Sequence, residues 1–147
     1  MNKNNVFRRL RVKVQLIKDS PCGNDVILKT PEEVAKLTGH LRNKDREHLL
    51  CLHLSTRNTV LGIETVSIGS LNANIVHPRE VFKGAILNNA ASVILVHNHP
   101  SGSCEASEED IEITKRIVDA GKIIGIEVID HVIVGDKYVS MKEEGLM

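Results

Sequence analysis

The sequence has no tryptophan and only three other aromatic rings: Phe7, Phe82 and Tyr138. So few rings provide no set of platforms on which unpaired bases could stack. Neither charge sign is in excess, because Lys plus Arg and Asp plus Glu both number 19. A neutral balance gives no global attraction to nucleic acid or to an anionic membrane surface. No apolar run approaches the roughly 18 residues of a transmembrane candidate, so no membrane span is expected. The start, Met-Asn-Lys-Asn-Asn, develops no apolar segment of the secretory kind. Cys22, Cys51 and Cys104 are odd in number and lack a Cys-x-x-Cys spacing, which argues against a disulfide framework. A cytoplasmic protein is therefore expected. Several catalytic signatures are also missing: the His-Glu-x-x-His helix, the Gly-x-Ser-x-Gly elbow, a phosphate-binding glycine loop and the deaminase Pro-Cys-x-x-Cys.

What is present suits one domain with one core: 147 residues, 41% of them hydrophobic. Six basic residues (Lys3, Arg8, Arg9, Arg11, Lys13 and Lys18) precede the first acid, Asp19. They read first as a solvated strand face or tail, and second as a basic docking patch. Residues 6–18 partly alternate, with Val12, Val14 and Leu16 on one face, and predict a strand near a sheet edge. A turn is expected at 22–25. Thr30-Pro31-Glu32-Glu33 predicts a capped helix start, with Val34 and Leu37 as its apolar stripe and Gly39 near its end.

Strands are predicted at 49–54 and 60–68, joined by a turn at 55–58. After a short linker at 71–75, His77-Pro78 opens a helix whose stripe is Val81, Phe82, Ala85, Ile86 and Ala90. Residues 92–96 are apolar without alternation, as in a central strand. Ser107 caps a helix carrying Ile111, Thr114, Ile117 and Val118, with Gly121 and Gly125 at its exit. A last hairpin covers 127–134 and 137–140. The pattern is a single α/β domain, a mixed sheet with about three helices.

The densest chemistry is His97-Asn98-His99-Pro100-Ser101-Gly102 followed by Ser107-Glu108-Glu109-Asp110. Side chains at i and i+2 of an extended segment share a face, so His97 and His99 can converge. Pro100 keeps His99 out of helical space. Asp110 falls in the first turn of the next helix, where free amides favour a carboxylate. Two nitrogens and one oxygen suit a single zinc ion with a position left for water; iron, cobalt or manganese also fit. The plain alternative is a capped helix beside a polar loop. Metal-activated water needs a proton acceptor. Glu47 qualifies because it starts a strand that can run beside the His-bearing one, and Glu64 is a rival within the next strand. Spacing does not decide between them. His77 reads as a cap or a supporting residue.

These residues resemble a known family. His97-x-His99-Pro100 with Ser107 and Asp110 at their spacing is similar to the signature of the JAMM (MPN, JAB) metalloproteases. Residues 75–82, 96–102, 107–111 and 130–134 resemble its bacterial RadC-type branch, and the likeness covers roughly 30–142. The resemblance implies a cytidine-deaminase-like α/β fold with a central mixed sheet. It implies that His97, His99 and Asp110 hold one zinc ion. It gives Glu47 the role of polarising the water, and Ser107 that of stabilising the oxyanion. The implied reaction is hydrolysis of a peptide or isopeptide bond by metal-activated water, with no acyl-enzyme.

The domain is accordingly expected at 30–142, with residues 1–29 as a strand and basic segment on or near the core and 143–147 as a tail. Longer RadC-type proteins carry a helix-hairpin-helix region. No such helical pair is visible before residue 30, so DNA binding through that module is not expected. The loop Gly102-Ser103-Cys104-Glu105-Ala106 places a thiol near the ligands, read as a bystander. The alternatives to a hydrolase are a non-catalytic interaction module of the same fold and a nucleic-acid or DNA-repair-associated protein. The latter is a label that attaches to the branch. The expected partner is a peptide or protein substrate; the sequence does not indicate an oligomeric state.

Overall fold

The structure, a computed structural model, describes residues 25–71 and 76–147. The strand expected at 6–18, most of the turn at 22–25 and most of the linker at 71–75 lie outside the described residues.

The first helix, α1 (Pro31–Leu37), starts where its capping box places it. Thr30 Oγ1 accepts from the Glu33 amide, and the Glu33 carboxylate accepts from the Lys29 and Thr30 amides. A 3₁₀ turn (Gly39–Asn43) continues the chain and buries Leu41. Strands β1 (His48–Leu54) and β2 (Val60–Ile68) form an antiparallel pair. Their turn bends through Asn58 at φ +58°, the left-handed region that asparagine tolerates.

Helix α2 (Pro78–Leu87) has proline in its first turn. Its buried stripe is Val81, Phe82 and Ala85. Two members of the expected stripe fall outside it: Ile86 is 53% exposed, and Ala90 lies past the helix end. Strand β3 (Ser92–Asn98) is buried at every position, as its unbroken apolar run requires of a central strand.

Helix α3 (Glu108–Ile124) ends at Gly125, φ +83°, whose amide donates to the Gly121 carbonyl. Its buried face is Asp110, Ile113, Thr114, Ile117 and Gly121. That is a spacing of three and four residues that includes Ile113 and leaves Ile111 half-buried. Strands β4 (Glu127–Val134) and β5 (Tyr138–Ser140) close the sheet.

The strand order is β2-β1-β3-β4-β5, with β3 and β4 parallel and the other neighbours antiparallel. One core cluster joins Leu49, Cys51, Val93 and Leu95 to α2 and α3. The other joins Leu50, Leu52, Ile94 and Val96 to α1 and Leu41. Alternation along β1 and β3 thus divides the core between the two faces of the sheet. The architecture is the mixed sheet with three α-helices expected from the pattern.

The β3–β4 ladder contains one irregularity. Val93 pairs with Val128, and Ile94 pairs with Asp130, so Ile129 is an additional residue in β4. Such a bulge reverses the side-chain alternation beyond it. Asp130 therefore shares a face with Ile94, and His131 shares the α3 face with Leu95. Asp130 is buried and accepts from the His131 amide, the Ser140 hydroxyl and the Lys142 amide, tying the C-terminal turn to β4.

Candidate metal centre

The C-terminal end of β3 delivers His97 and the residue after it delivers His99, while the first turn of α3 delivers Asp110. His97 Nε2 and His99 Nε2 stand 2.9 Å apart. His97 Nε2 is 3.2 Å from Asp110 Oδ1, and His99 Nε2 is 3.3 Å from Asp110 Oδ2. Among the described residues these three alone form a cluster able to hold a metal ion. His97 and Asp110 are buried, and the His99 side chain is 14% exposed. The two imidazoles and the carboxylate named from the sequence are thus brought together.

Helix geometry sets Asp110. Ser107 Oγ accepts from the Asp110 amide at 3.1 Å, and Asp110 Oδ2 accepts from the Ser107 amide at 2.8 Å. This capping box leaves Asp110 on the buried face of α3, directed at the imidazoles. The exposed Ser107 uses its lone pairs in that bond, so its hydroxyl proton remains available to an outside acceptor.

His99 is held by backbone on both sides of its loop. Its amide donates to the Val134 carbonyl, its own carbonyl accepts from the Gly102 amide, and its Nδ1 faces the Ser103 carbonyl at 3.1 Å. A carbonyl only accepts, so His99 Nδ1 carries the proton and Nε2 presents a lone pair to the site. Gly135 permits this arrangement. A Cβ there would fall on the Gly102 carbonyl and within 2.8 Å of the Ser103 carbonyl oxygen, both backbone. Gly135→Ala is expected to destabilise the fold by about 1–3 kcal/mol, the usual cost of overpacking. It should also lower metal affinity by displacing His99; denaturant melts and zinc competition measure the two effects.

The donor set fits a cation. Two imidazole nitrogens and a carboxylate converge, and like lone pairs 2.9 Å apart repel unless a proton or a metal ion lies between them. Without a metal the proton goes to His99: its hydrogen bond to Asp110 raises its pKa. For Asp110, burial opposes ionisation, but the adjacent His97 and His99 rings outweigh it and hold the carboxyl far below its usual range. A zinc ion would take the place of that proton.

Strand register brings Glu47 to the same place. In the antiparallel β1–β3 ladder Leu49 pairs with His97. Extending that register by two residues sets Glu47 opposite His99, on the same face. Its negative charge is close enough to contribute to the raised His99 pKa. Glu47 is half-buried; its Oε2 accepts from the Leu71 amide at 2.9 Å, and its carbonyl accepts from the Gly69 amide. A shallow cleft of about 390 Å³, lined by Asp45, Arg46, Glu47, Gly69, Ser70 and Pro100, opens beside it.

Glu64 lies elsewhere, on β2, where it pairs with Cys51 and β1 separates it from the His-bearing β3. Its Oε2 is 3.6 Å from the buried His53 Nε2, and Asn88 Nδ2 lies 2.8 Å from His53 Nδ1. Burial raises the Glu64 pKa and lowers that of His53. His77 occupies the N-cap of α2, but its side chain makes no capping hydrogen bond, so the expected cap is not formed. Cys104 lies in the loop with its Sγ 3.8 Å from the Gly102 carbonyl.

Three supporting residues escaped the sequence reading. Asn98 lies between the ligands and points to the opposite face. Its Oδ1 accepts from the His48 amide at 2.8 Å, and its Nδ2 donates to the Arg46 carbonyl at 3.0 Å. It thereby clamps the backbone on both sides of Glu47. Thr114 and His131 stand behind His97: His97 Nδ1 is 2.7 Å from His131 Nε2, and His131 Nδ1 is 2.6 Å from Thr114 Oγ1. Burial pushes the His131 pKa well below its ordinary value, which keeps that ring neutral. A polar residue at the buried phase of a strand or helix is the signal that marks all three.

The family model described as "RadC-like JAB domain" matches residues 28–146. A UPF0758 protein of Desulforamulus reducens is 56% identical over 129 residues, covering 86% of this chain and 57% of that protein. One of Bacillus cereus is 55% identical over 124 residues, with 83% and 55% covered. One of Geobacillus kaustophilus is 52% identical over 131 residues, with 88% and 58% covered. The chain spans a little over half the length of these curated relatives.

Proposed function

Because this chain belongs to the RadC-like JAB domain family, whose mixed sheet and three helices it shares, we propose that it is a zinc-dependent hydrolase of peptide or isopeptide bonds. The observation that carries this reading is the convergence of His97, His99 and Asp110 beside Glu47. His97 and His99 would bind zinc through Nε2 and Asp110 through a carboxylate oxygen. Zinc bound there supplies Lewis acidity, which polarises a carbonyl and lowers the pKa of water.

The chain's own groups perform the rest. Glu47 stands beside the ligands with one carboxylate oxygen held by the Leu71 amide, leaving the other to take a proton from water. The same carboxyl then delivers that proton to the leaving amine. Ser107 directs its hydroxyl proton toward the developing oxyanion. The open cleft along 45–47 and 69–70 offers an extended chain a polar floor. No helix among the described residues is long and apolar enough to cross a membrane. Free Cys51 and Cys104 suit a reducing cytoplasm.

The test compares zinc-loaded wild type with Glu47→Gln on a bacterial lysate, mapping new amino termini and freed lysine amines by mass spectrometry. Cleavages made only by wild type support the hydrolase. Identical patterns at full zinc occupancy reject it. Stoichiometric binding of a partner, unchanged by chelation, would identify an interaction module instead.

Asn98→Ala tests how Glu47 is placed. The variant leaves the His48 amide and the Arg46 carbonyl without their partner. It should lose about 1–3 kcal/mol of stability and lower hydrolysis, with zinc content unchanged. Denaturant melts and elemental analysis are the measurements.

A further inference from the structure

We propose that His131 is a positioning residue that fixes His97 in the tautomer able to bind metal, and that Thr114 fixes His131 in turn. This rests on the reading of His97 as a ligand, and it adds a role for two buried residues that do not touch the ion.

A chain of hydrogen bonds runs from α3 to His97. Thr114 Oγ1 lies 2.6 Å from the Asp110 carbonyl oxygen and 2.6 Å from His131 Nδ1. Two oxygens at 2.6 Å need a proton between them, and the carbonyl has none to give. The Thr114 hydroxyl proton therefore goes to the Asp110 carbonyl. Its oxygen then accepts from His131, so His131 Nδ1 carries the proton. His131 is 1% exposed and its ring nitrogens meet Thr114 and His97, neither of which is anionic and could offset a buried charge, so the ring carries that one proton and its Nε2 is left as an acceptor. His97 Nδ1, 2.7 Å away, must donate to it. His97 is thus protonated at Nδ1, and its Nε2 keeps a bare lone pair directed at His99 and Asp110. The reversed relay would protonate His97 Nε2 and block the site.

A second feature points the same way. If Ile129 paired with Ile94 as an ordinary strand residue, His131 would fall opposite Val96 and face α1. The bulge turns it onto the face of His97 and α3. The chain starting at Asp110 also closes on itself: the residue that supplies a carboxylate to the metal supplies its backbone carbonyl to the relay that prepares His97. An imidazole whose far nitrogen is held in this manner is a stronger and better aimed ligand.

The experiment reads tautomers first. Two-bond nitrogen–proton NMR on imidazole-labelled protein stripped of metal should show His97 and His131 both protonated at Nδ1. Zinc affinity by chelator competition follows. His131→Leu should weaken binding by about 10–100-fold, the range for lost outer partners. His131→Gln, which restores an acceptor, should recover most of it. Thr114→Val should shift the His97 tautomer population and weaken zinc in the same direction. His97 protonated at Nε2 in the stripped wild type overturns the proposal, as does a folded His131→Leu that binds zinc like wild type. If His131→Leu does not fold, Thr114→Val and the wild-type tautomers decide. A wild type that binds no zinc defeats the metal-centre reading instead, while the tautomers still report on the relay.

Discussion

Glu47→Gln keeps its metal and loses hydrolysis by about 10²–10⁴-fold, the range for a positioned proton-transfer group. That loss corresponds to about 3–5 kcal/mol of transition-state stabilisation. The two halves of the result have separate causes. Metal is retained because, among the described residues, the ligand cluster comprises His97, His99 and Asp110 and does not include Glu47. Glutamine also offers a carbonyl oxygen to the Leu71 amide, so the local backbone keeps its 2.9 Å partner. Hydrolysis is lost because an amide cannot take a proton from water near neutral pH. The measurement is a progress curve on any cleaved substrate, beside zinc per chain for both proteins. Wild-type turnover by a fully loaded variant would remove Glu47 as the base.

His99→Ala takes zinc content from near one ion per chain to near none, with affinity lowered more than about 100-fold, beyond the loss of an outer partner. His99 is the best ligand to remove because its side chain, 14% exposed, is the most exposed of the three. His97, fully buried between His131 and the site, would combine metal loss with a packing defect. The paired observable is thermal. Zinc at about 100 times its dissociation constant adds about 2.7 kcal/mol to the state that binds it. For a chain of this size that raises Tm by about 5–11 °C. Wild type should show that rise, and His99→Ala should show none. A variant that melts and loads like wild type would mean that the ion is held elsewhere.

Much of the centre was readable from local rules. The i, i+2 spacing of His97 and His99 and the proline after them describe an extended approach, and Ser107 with Asp110 describes a helix start. Both are short-range statements, and the structure realises each through a strand end and a capping box. Glu47 could not be separated from Glu64 in the same manner, because the choice depends on strand pairing. The residues that support the ligands were hidden for a related reason. Asn98 acts across the β1–β3 ladder over 50 residues of sequence. His131 faces His97 only because β4 carries an additional residue. The misplaced stripe members, Ile86 and Ile111, are smaller errors of phase. Each lies at the margin of an amphipathic face whose centre was identified correctly.

The bulge at Ile129 and the clamp at Asn98 have a consequence for how such a domain can change by insertion and deletion. Losing one residue anywhere in β3 would swap the outlooks of 97 and 98, sending an imidazole to the α1 side and an amide to the ligand side. In β4 the additional residue provides slack instead: losing Ile129 would leave Asp130 opposite Ile94 and His131 opposite Leu95. The loop between Gly102 and Ser107 is under no such parity: both its ends are anchored, one by backbone bonds and the other by the helix cap. Length variation among descendants of this sequence should therefore accumulate in that loop and be purged from β3.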